Sequence, residues 1–537
     1  MSNSPPQIIL TTLNAKYIHA SLGLRYLLAN LARHGGDDLR ARSVLREFTL
    51  ARPVQEIVAA ILAELGTSDA VQIVGFGVYI WNVTATTEVV RKLKHERPAL
   101  VIVLGGPEVS YEYDTQEIFK LADHLITGWG DVSFAKLCRS LIHGPRPLMK
   151  VYVGEQPPLA EIIMPYAEYS NDDLAHRLLY VEASRGCPFK CELCLSSLDK
   201  TAWAFELDRF LDELDSLYQR GARNFKFVDR TFNLKIDASA RILEFFLERL
   251  SPELFLHFEV IPDHLPDRLK DLIARFPEGV LQFEIGIQSF DEQVQHTISR
   301  RQDNLQTEAN VRWLVEHSHA HLHTDLIFGL PGETLQSFAL GFDRLYRLKP
   351  HEIQLGILKR LRGTPSVRHT ESFQMKYDAA PPYAIVETNT INAEAMQAFV
   401  RLARYWDLIA NSGRFKTTLP ALLEGLSPFA AFQNFSDWLW NSTRATSGLT
   451  PERLTDAIFD YACTELGLPP AEVRESLLAD YRASGARGNP QSLREQFERP
   501  IPQVKAKKLS QRQARHRLEA SADTSHRPTT SDDAERV

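Results

Sequence analysis

The segment LLYVEASRGCPFKCELC, residues 178–194, runs from an apolar strand-like stretch into three closely spaced cysteines, Cys187, Cys191 and Cys194. Their C-x3-C-x2-C spacing places three thiols on the loop after a strand, where barrel folds assemble their chemistry. Iron-sulfur cubanes are usually held by four thiolates, so three local cysteines leave one iron without a protein ligand. The amino and carboxylate groups of S-adenosylmethionine (SAM) are suitable ligands for such an iron. The segment therefore predicts a 4Fe-4S cluster with an open coordination site.

Two other interpretations of the cysteines remain open. A structural zinc site needs a fourth ligand such as His176, and only Cys191 and Cys194 have the common C-x2-C zinc spacing. Alternatively, the three thiols are unrelated and simply buried. The other two cysteines, Cys138 and Cys463, lie far away in sequence and are interpreted as ordinary buried thiols.

Upstream of this segment, short apolar runs alternate with helical patterns, which is typical of a doubly wound parallel sheet. Such sheets bind ligands beyond the carboxyl ends of their strands. Glycine there lets the backbone approach a large flat ligand or a nucleotide tail. A nicotinamide site is not favoured, because no G-x-G-x-x-G follows the first strand. Three pairs of glycines end predicted strands and are candidate ligand contacts: Gly75, Gly77, Gly105, Gly106, Gly128 and Gly130.

From Leu178 onward, about six strand and helix units favour a partial (β/α)6 barrel, and a mostly helical region follows it. A proline-rich stretch separates the two α/β parts, and the end of the chain is too polar to bury a core. The predicted divisions are a Rossmann-like domain at 1–143, a linker at 144–170, the barrel at 171–368, a helical domain at 369–504 and a disordered tail at 505–537.

Composition excludes several classes of protein. The net charge of -7 supplies no general attraction for nucleic acid, so no nucleic acid partner is expected. The sequence has neither a secretory leader pattern nor an apolar run long enough to cross a membrane. Five cysteines in 537 residues do not make a disulfide framework. These features predict a cytoplasmic protein without a membrane partner.

The cysteine motif resembles that of the radical SAM superfamily. FEIGIQSFDEQVQHTISR at 283–300 and HTDLIFGLPGET at 323–334 are similar to later barrel strands of its members. Leu193 departs from the aromatic residue usual before the last cysteine, which we interpret as a change in packing against the adenine. The resemblance implies SAM contacts, for which ordinary salt bridges or hydrogen bonds are the alternative; the candidates are Asp229, Arg230, Glu284 and Gln288.

The amino-terminal part resembles the cobalamin-binding domain of cobalamin-dependent radical SAM proteins. NAKYIHASLGLRYL at 14–27, LGGPEVS at 104–110 and TGWGD at 127–131 carry this likeness, although the last replaces the usual Glu-Gly-Glu with Trp-Gly-Asp. The Asp-x-His-x-x-G motif that ligates cobalt is missing, so His19 is expected to have a loop or capping role. The alternative is a Rossmann-like scaffold that binds no cobalamin.

Together, these likenesses imply a cobalamin-dependent radical SAM enzyme with a carboxy-terminal domain of unknown function. In that chemistry, SAM is cleaved to a 5′-deoxyadenosyl radical, and an unactivated carbon of the substrate is methylated. An external electron donor such as flavodoxin or ferredoxin is implied. The alternatives are a cobalamin-assisted radical rearrangement or oxidation, a cobalamin-free radical SAM enzyme, and a non-catalytic metal-binding protein. The sequence assigns neither the substrate nor a catalytic side chain.

Overall fold

Two parallel sheets follow one another along the chain in the computed structural model, which describes residues 5–199 and 201–496. The predicted tail at 505–537 lies outside the described residues. The first sheet has the strand order β2-β1-β3-β4-β5-β6. Its elements are β1 (Ile8–Asn14), α1 (Leu22–Gly35), α2 (Asp37–Ala41), β2 (Ser43–Thr49), α3 (Val54–Leu65), β3 (Ile73–Gly77), α4 (Val83–Glu96), β4 (Val101–Gly105), α5 (Glu117–Leu121), β5 (His124–Thr127), α6 (Ser133–His143) and β6 (Val151–Val153).

Alternating side chains of the first sheet enter two separate cores. Ile8 and Leu10 pack in the core that contains residues of α1 and α6, whereas Ile9 packs in the core that contains residues of α3 and α4. Successive residues of a strand point to opposite faces, so both faces of this sheet are covered by helices. The predicted doubly wound sheet is confirmed.

The stretch predicted as a linker at 144–170 contains part of the first sheet. Strand β6 pairs in parallel with β5, with Leu125 opposite Val151. A three-residue edge strand among prolines is too short to produce the alternating apolar pattern that identifies longer strands. The first domain therefore continues to Val153, beyond the predicted boundary.

The second sheet has six parallel strands in the order β14-β13-β12-β11-β10-β7, which confirms the partial barrel. A short β8-β9 ribbon flanks the cysteines. The elements are α7 (Asn171–His176), β7 (Leu179–Val181), β8 (Ser184–Arg185), β9 (Trp203–Ala204), α8 (Leu207–Gln219), β10 (Asn224–Phe227), α9 (Ile236–Leu247), β11 (Phe255–Val260), α10 (Asp267–Ile273), β12 (Leu281–Gln288), α11 (Glu292–Thr297), α12 (Asn304–His317), β13 (His321–Phe328), α13 (Leu335–Tyr346) and β14 (Glu352–Ile357).

The mostly helical carboxy-terminal part packs on the β14 side of the barrel. Phe399 stacks on Phe328 with ring centroids 3.9 Å apart. The side-chain amide of Asn411 bonds to both the N–H and the C=O of Ile353 in β14, each at 3.0 Å. The elements are β15 (Lys376–Tyr377), β16 (Ile385–Glu387), α14 (Ala393–Trp406), α15 (Leu419–Leu422), α16 (Pro428–Thr443), α17 (Pro451–Thr464) and α18 (Pro470–Ala483).

Two further sequence predictions concern the isolated cysteines and membrane-spanning segments. Cys138 is buried in α6, as predicted, whereas Cys463 is only half-buried. Within the described part of the chain, no helix has the length and apolar character needed to span a bilayer.

Candidate functional site

A cavity of about 280 Å³ lies beyond the carboxyl ends of β3, β4 and β5, at the edge where parallel sheets bind ligands. We call it the glycine cavity. All six glycines singled out in the sequence line it: Gly75, Gly77, Gly105, Gly106, Gly128 and Gly130. Residues far apart in the chain therefore converge on one site.

Two of these glycines leave the backbone open to the cavity. A Cβ at Gly105 would have the Ile126 oxygen as its nearest neighbour, at 3.7 Å, and a Cβ at Gly128 would meet nothing within 4 Å. At Gly106, by contrast, φ is +111° and a Cβ would lie 2.5 Å from the Val78 oxygen. The fold itself requires glycine there. Open backbone at Gly105 and Gly128 fits a large flat ligand such as cobalamin.

His19 lies apart from this cavity. Its Nδ1 is 2.8 Å from the hydroxyl of Tyr180 in β7, and burial lowers the pKa of the imidazole, with Lys226 adding to the effect. No histidine occurs among the described residues that line the glycine cavity. This placement agrees with the expected loop role of His19.

The cysteine loop, residues 186–199, follows β8 and is fixed by its own backbone. The N–H of Cys187 donates to the Asp199 carbonyl at 3.0 Å, and that of Cys194 donates to the Cys191 carbonyl at 3.2 Å. The Ser197 hydroxyl bonds to the carbonyls of both Cys191 and Cys194, each at 2.7 Å. The chain therefore holds three thiol-bearing residues in one short, internally bonded loop.

The three thiols are free, with Cys187 buried and the other two half-buried. No three His, Cys, Asp or Glu side chains in the described ranges gather closely enough to hold a single metal ion. A cubane binds each thiolate through a different iron, so its ligands surround a larger group than one ion. His176, the candidate fourth zinc ligand, is exposed and bonded to Asp172. The donor set of three thiols on one loop fits the predicted cluster.

Two arginines stand close to the thiols. A nitrogen of Arg300 lies 3.7 Å from Sγ of Cys191, a contact that sequence reasoning missed. Arg230, a predicted SAM contact, pairs with Glu259 at 2.7 Å. Burial raises the pKa of the Cys187 thiol, and the positive charge of Arg230 partly opposes that rise. These cations favour negative charge beside the loop.

Asp229, another predicted SAM contact, hydrogen-bonds the segment that leads into the cysteine loop. Its carboxylate accepts hydrogen bonds from the N–H of Ala183 at 3.0 Å and from the hydroxyl of Ser184 at 2.5 Å. Burial raises the pKa of Asp229 to about 7. Both carboxylate oxygens therefore bind the chain just before the cysteine loop.

The remaining predicted contacts lie on β12. Glu284 accepts bonds from Lys226 and His257, each at 3.0 Å. Burial alone would raise the pKa of Glu284, but the hydrogen bond from His257 and the charge of Lys226 lower it. Gln288 ends the strand at a φ of +70°. Glu284 is therefore one of a polar group of side chains, which come from neighbouring strands of the barrel.

Sequence reasoning missed the other members of this polar group. Lys226, His257 and Asp325 alternate with apolar residues on β10, β11 and β13, which is the signal that could have identified them. Burial lowers the pKa of His257 to about 4. Burial, together with Glu284 and a second carboxylate, raises the pKa of Asp325 well above its usual range. Ionisable side chains thus occupy adjacent strands of the barrel, where the interior is normally apolar.

Arg185 connects the cysteine loop to the glycine cavity. It lines the cavity, forms a two-point salt bridge with Asp131 of the first domain, and precedes Cys187 by two residues. Sequence reasoning missed this contact because 54 residues separate the partners. The two candidate cofactor positions therefore adjoin.

Comparison with known families divides the chain into three matched segments. Residues 8–138 match the B12 binding domain, residues 181–340 match the Radical SAM superfamily, and residues 371–532 match a protein of unknown function, DUF4080. The first segment contains all the glycines that line the cavity, and the second contains the cysteine loop. These matches confirm the predicted combination of domains and their cofactor classes.

Among curated proteins, the chain is similar to the cobalamin-dependent radical SAM methyltransferase TokK of Streptomyces tokunonensis. The two are 24% identical over 397 residues, which are 64% of this chain and 57% of TokK. The chain spans about half the length of the curated relatives it matches.

Two solved structures share the fold. The radical SAM methyltransferase TsrM of Kitasatospora setae, with tryptophan substrate and a SAM analog bound, gives a TM-score of 0.58 at 17% identity, covering 82% of this chain and 97% of TsrM. The cobalamin-dependent enzyme OxsB, with aqua-cobalamin bound, gives a TM-score of 0.59 at 13% identity, covering 92% and 83% of the two chains. At these identities, the likeness shows the fold alone.

Proposed function

We propose that this chain methylates an unactivated carbon of its substrate. The chain belongs to the B12-binding radical SAM proteins that carry a carboxy-terminal domain of unknown function. The cofactors are a 4Fe-4S cluster, SAM and cobalamin. Arg185 carries the proposal, because it lines the glycine cavity and lies two residues before Cys187. Methyl transfer requires the cobalamin and cluster positions to face a common space, and this adjacency supports it.

In the proposed site, Cys187, Cys191 and Cys194 hold the cluster and the glycine cavity holds cobalamin. When bound, the cluster supplies the electron that cleaves SAM, and cobalamin supplies a metal centre for methyl transfer. Arg300, 3.7 Å from Cys191, is the cation we assign to the SAM carboxylate.

We place the substrate in the barrel interior. Lys226, His257 and Glu284 provide a cation, a neutral imidazole and a carboxylate there. Asp325 lies on the neighbouring strand β13, where burial and nearby carboxylates raise its pKa well above the usual range. Such a lining favours a substrate that both donates and accepts hydrogen bonds.

The carboxy-terminal part shapes this space from the β14 side, where its aromatic residues pack on β13 and α13. An external one-electron donor such as flavodoxin or ferredoxin completes the proposed reaction, which we expect to take place in the cytoplasm.

The test supplies the anaerobically reconstituted chain with hydroxocobalamin, dithionite, SAM carrying a deuterated methyl group, and a small-molecule extract of cells that express it. We expect S-adenosylhomocysteine, 5′-deoxyadenosine and a product with the labelled methyl group, measured by mass spectrometry. The Cys187→Ala, Cys191→Ala, Cys194→Ala triple variant should form none of them, whereas the control Cys463→Ala should match the unaltered chain.

Each alternative gives a different result that would overturn the proposal. 5′-Deoxyadenosine without S-adenosylhomocysteine indicates rearrangement or oxidation. Products that are independent of added cobalamin indicate a cobalamin-free enzyme. A fully loaded chain that leaves SAM intact indicates a non-catalytic metal-binding protein.

A further inference from the structure

Five side chains join the two domains at the wall of the glycine cavity: Tyr26, Trp129, Asp131, Glu182 and Arg185, here called the Arg185 cluster. Arg185 bonds to both oxygens of Asp131, at 2.9 and 3.1 Å, and its Nε donates to Glu182 at 2.7 Å. The guanidinium also lies 4.4 Å from the ring centre of Tyr26 and 4.8 Å from that of Trp129. The side chain of Arg185 is only 13% exposed.

The Arg185 cluster carries an excess of negative charge. It contains the carboxylates of Asp131 and Glu182 but only one guanidinium, and all three groups are largely buried. A buried charge is costly unless hydrogen bonds compensate it. The hydrogen bonds to Asp131 and Glu182 use three of the five N–H groups of Arg185. A ligand that offers N–H donors and a carbonyl acceptor would therefore stabilise the cluster.

Tyr26 gives a second, independent sign of a ligand. Its hydroxyl is buried beside the Glu182 carboxylate, yet it forms no bond of full hydrogen-bond geometry among the described residues. Burial raises the pKa of this phenol well above its usual range, and the charge of Glu182 adds to the effect. The phenol therefore remains protonated and able to donate. Tyr26, Glu182 and Arg185 all line the cavity.

We propose that the Arg185 cluster binds one of the propionamide side chains at the edge of the corrin ring of cobalamin. The Glu182 carboxylate accepts from the amide NH2 group, and the Tyr26 hydroxyl and Arg185 donate to the amide carbonyl. A primary amide matches this combination of acceptor and donors without adding charge. The inference rests on the proposed binding of cobalamin in the glycine cavity. It identifies the group of the cofactor that the Arg185 cluster recognises.

The test compares the affinity of the full-length protein for hydroxocobalamin with its affinity for the three monocarboxylic acids made by hydrolysing one propionamide each. One acid should bind at least about tenfold more weakly, because its new carboxylate would meet Glu182 and Asp131. That discrimination should largely disappear in Glu182→Gln. It should persist in Glu155→Gln, which alters an exposed carboxylate two residues after β6, paired with Lys136 and outside the cavity lining.

Tyr26→Phe provides a test that does not depend on the acidic variant folding. Among the described residues the lost hydroxyl forms no well-aligned hydrogen bond, so the melting temperature should change little while hydroxocobalamin binds several-fold more weakly. Tight hydroxocobalamin binding with equal affinities for all three acids, or an unchanged affinity in Tyr26→Phe, would overturn the inference. Failure of the unaltered chain to bind hydroxocobalamin at all would instead overturn the proposed function.

Discussion

The carboxylate of Glu192 accepts a hydrogen bond from Nε2 of His369 at 2.8 Å, although 177 residues separate the two. Arg368 and the hydroxyl of Ser299 bond to the same carboxylate, which is 4% exposed. Glu192 stands between two of the three cysteines of the loop, and its N–H donates to Ile298 at 3.0 Å. The cysteine loop is therefore tied to segments that follow β12 and β14.

Replacement of this carboxylate should loosen the cysteine loop. Glu192→Ala removes the acceptor of the half-buried His369 and Ser299 side chains and should cost roughly 1 to 2 kcal/mol. We expect less iron and sulfide per chain after reconstitution, with unchanged cobalamin binding. Glu371→Ala, an exposed glutamate near the same partners, is the control. Normal iron content in Glu192→Ala would show that the loop holds its position without this tie.

A larger side chain at Gly105 should block cobalamin and spare the cluster. A Cβ at Gly105 enters open space in the cavity, so Gly105→Leu should weaken cobalamin binding at least about tenfold, as measured by absorbance titration. Gly106→Ala is a matched contrast, because its Cβ meets the Val78 backbone and its backbone has positive φ. It should lower the melting temperature. Unchanged cobalamin binding in Gly105→Leu would show that cobalamin binds elsewhere.

Cobalt should not be ligated by His19, because its Nδ1 bonds to Tyr180 and the residue does not line the glycine cavity. Electron paramagnetic resonance of the cobalt(II) protein should be the same in His19→Ala and in the unaltered chain. A nitrogen below cobalt splits each cobalt line into three. Loss of such a splitting in His19→Ala would contradict this arrangement.

Asp229 should make stability depend on pH. Its folded-state pKa of about 7 lies above the ordinary value of 3.8 for an aspartate, so the folded state binds the proton more tightly. This contribution to stability is present below about pH 4 and is lost as the pH rises to about 7. Asp229→Asn keeps an acceptor and a donor but no charge. Its melting temperature, relative to the unaltered chain, should therefore rise across that interval. A constant difference would show that the carboxyl keeps an ordinary pKa.

Local patterns were enough to predict both sheets and the positions of the six glycines, because apolar runs that end in glycine mark strand ends in the sequence itself. The cysteine motif is local in the same way. Other contacts could not be predicted in this way, because they join segments that come together only when two domains and several strands pack. Examples are the contacts of Arg185 with Asp131 and of Arg300 with Cys191. The sequence also did not reveal that Asp229 turns its carboxylate towards Ala183 and Ser184.

The amide of Asn411 occupies the hydrogen-bonding groups of Ile353 much as a neighbouring strand would. An unpaired strand edge is a template on which another chain can assemble. The helical part consequently protects β14 from self-association. A chain cut near residue 370 should form β-rich aggregates as its concentration rises, and Asn411→Ala should move the full-length protein in the same direction.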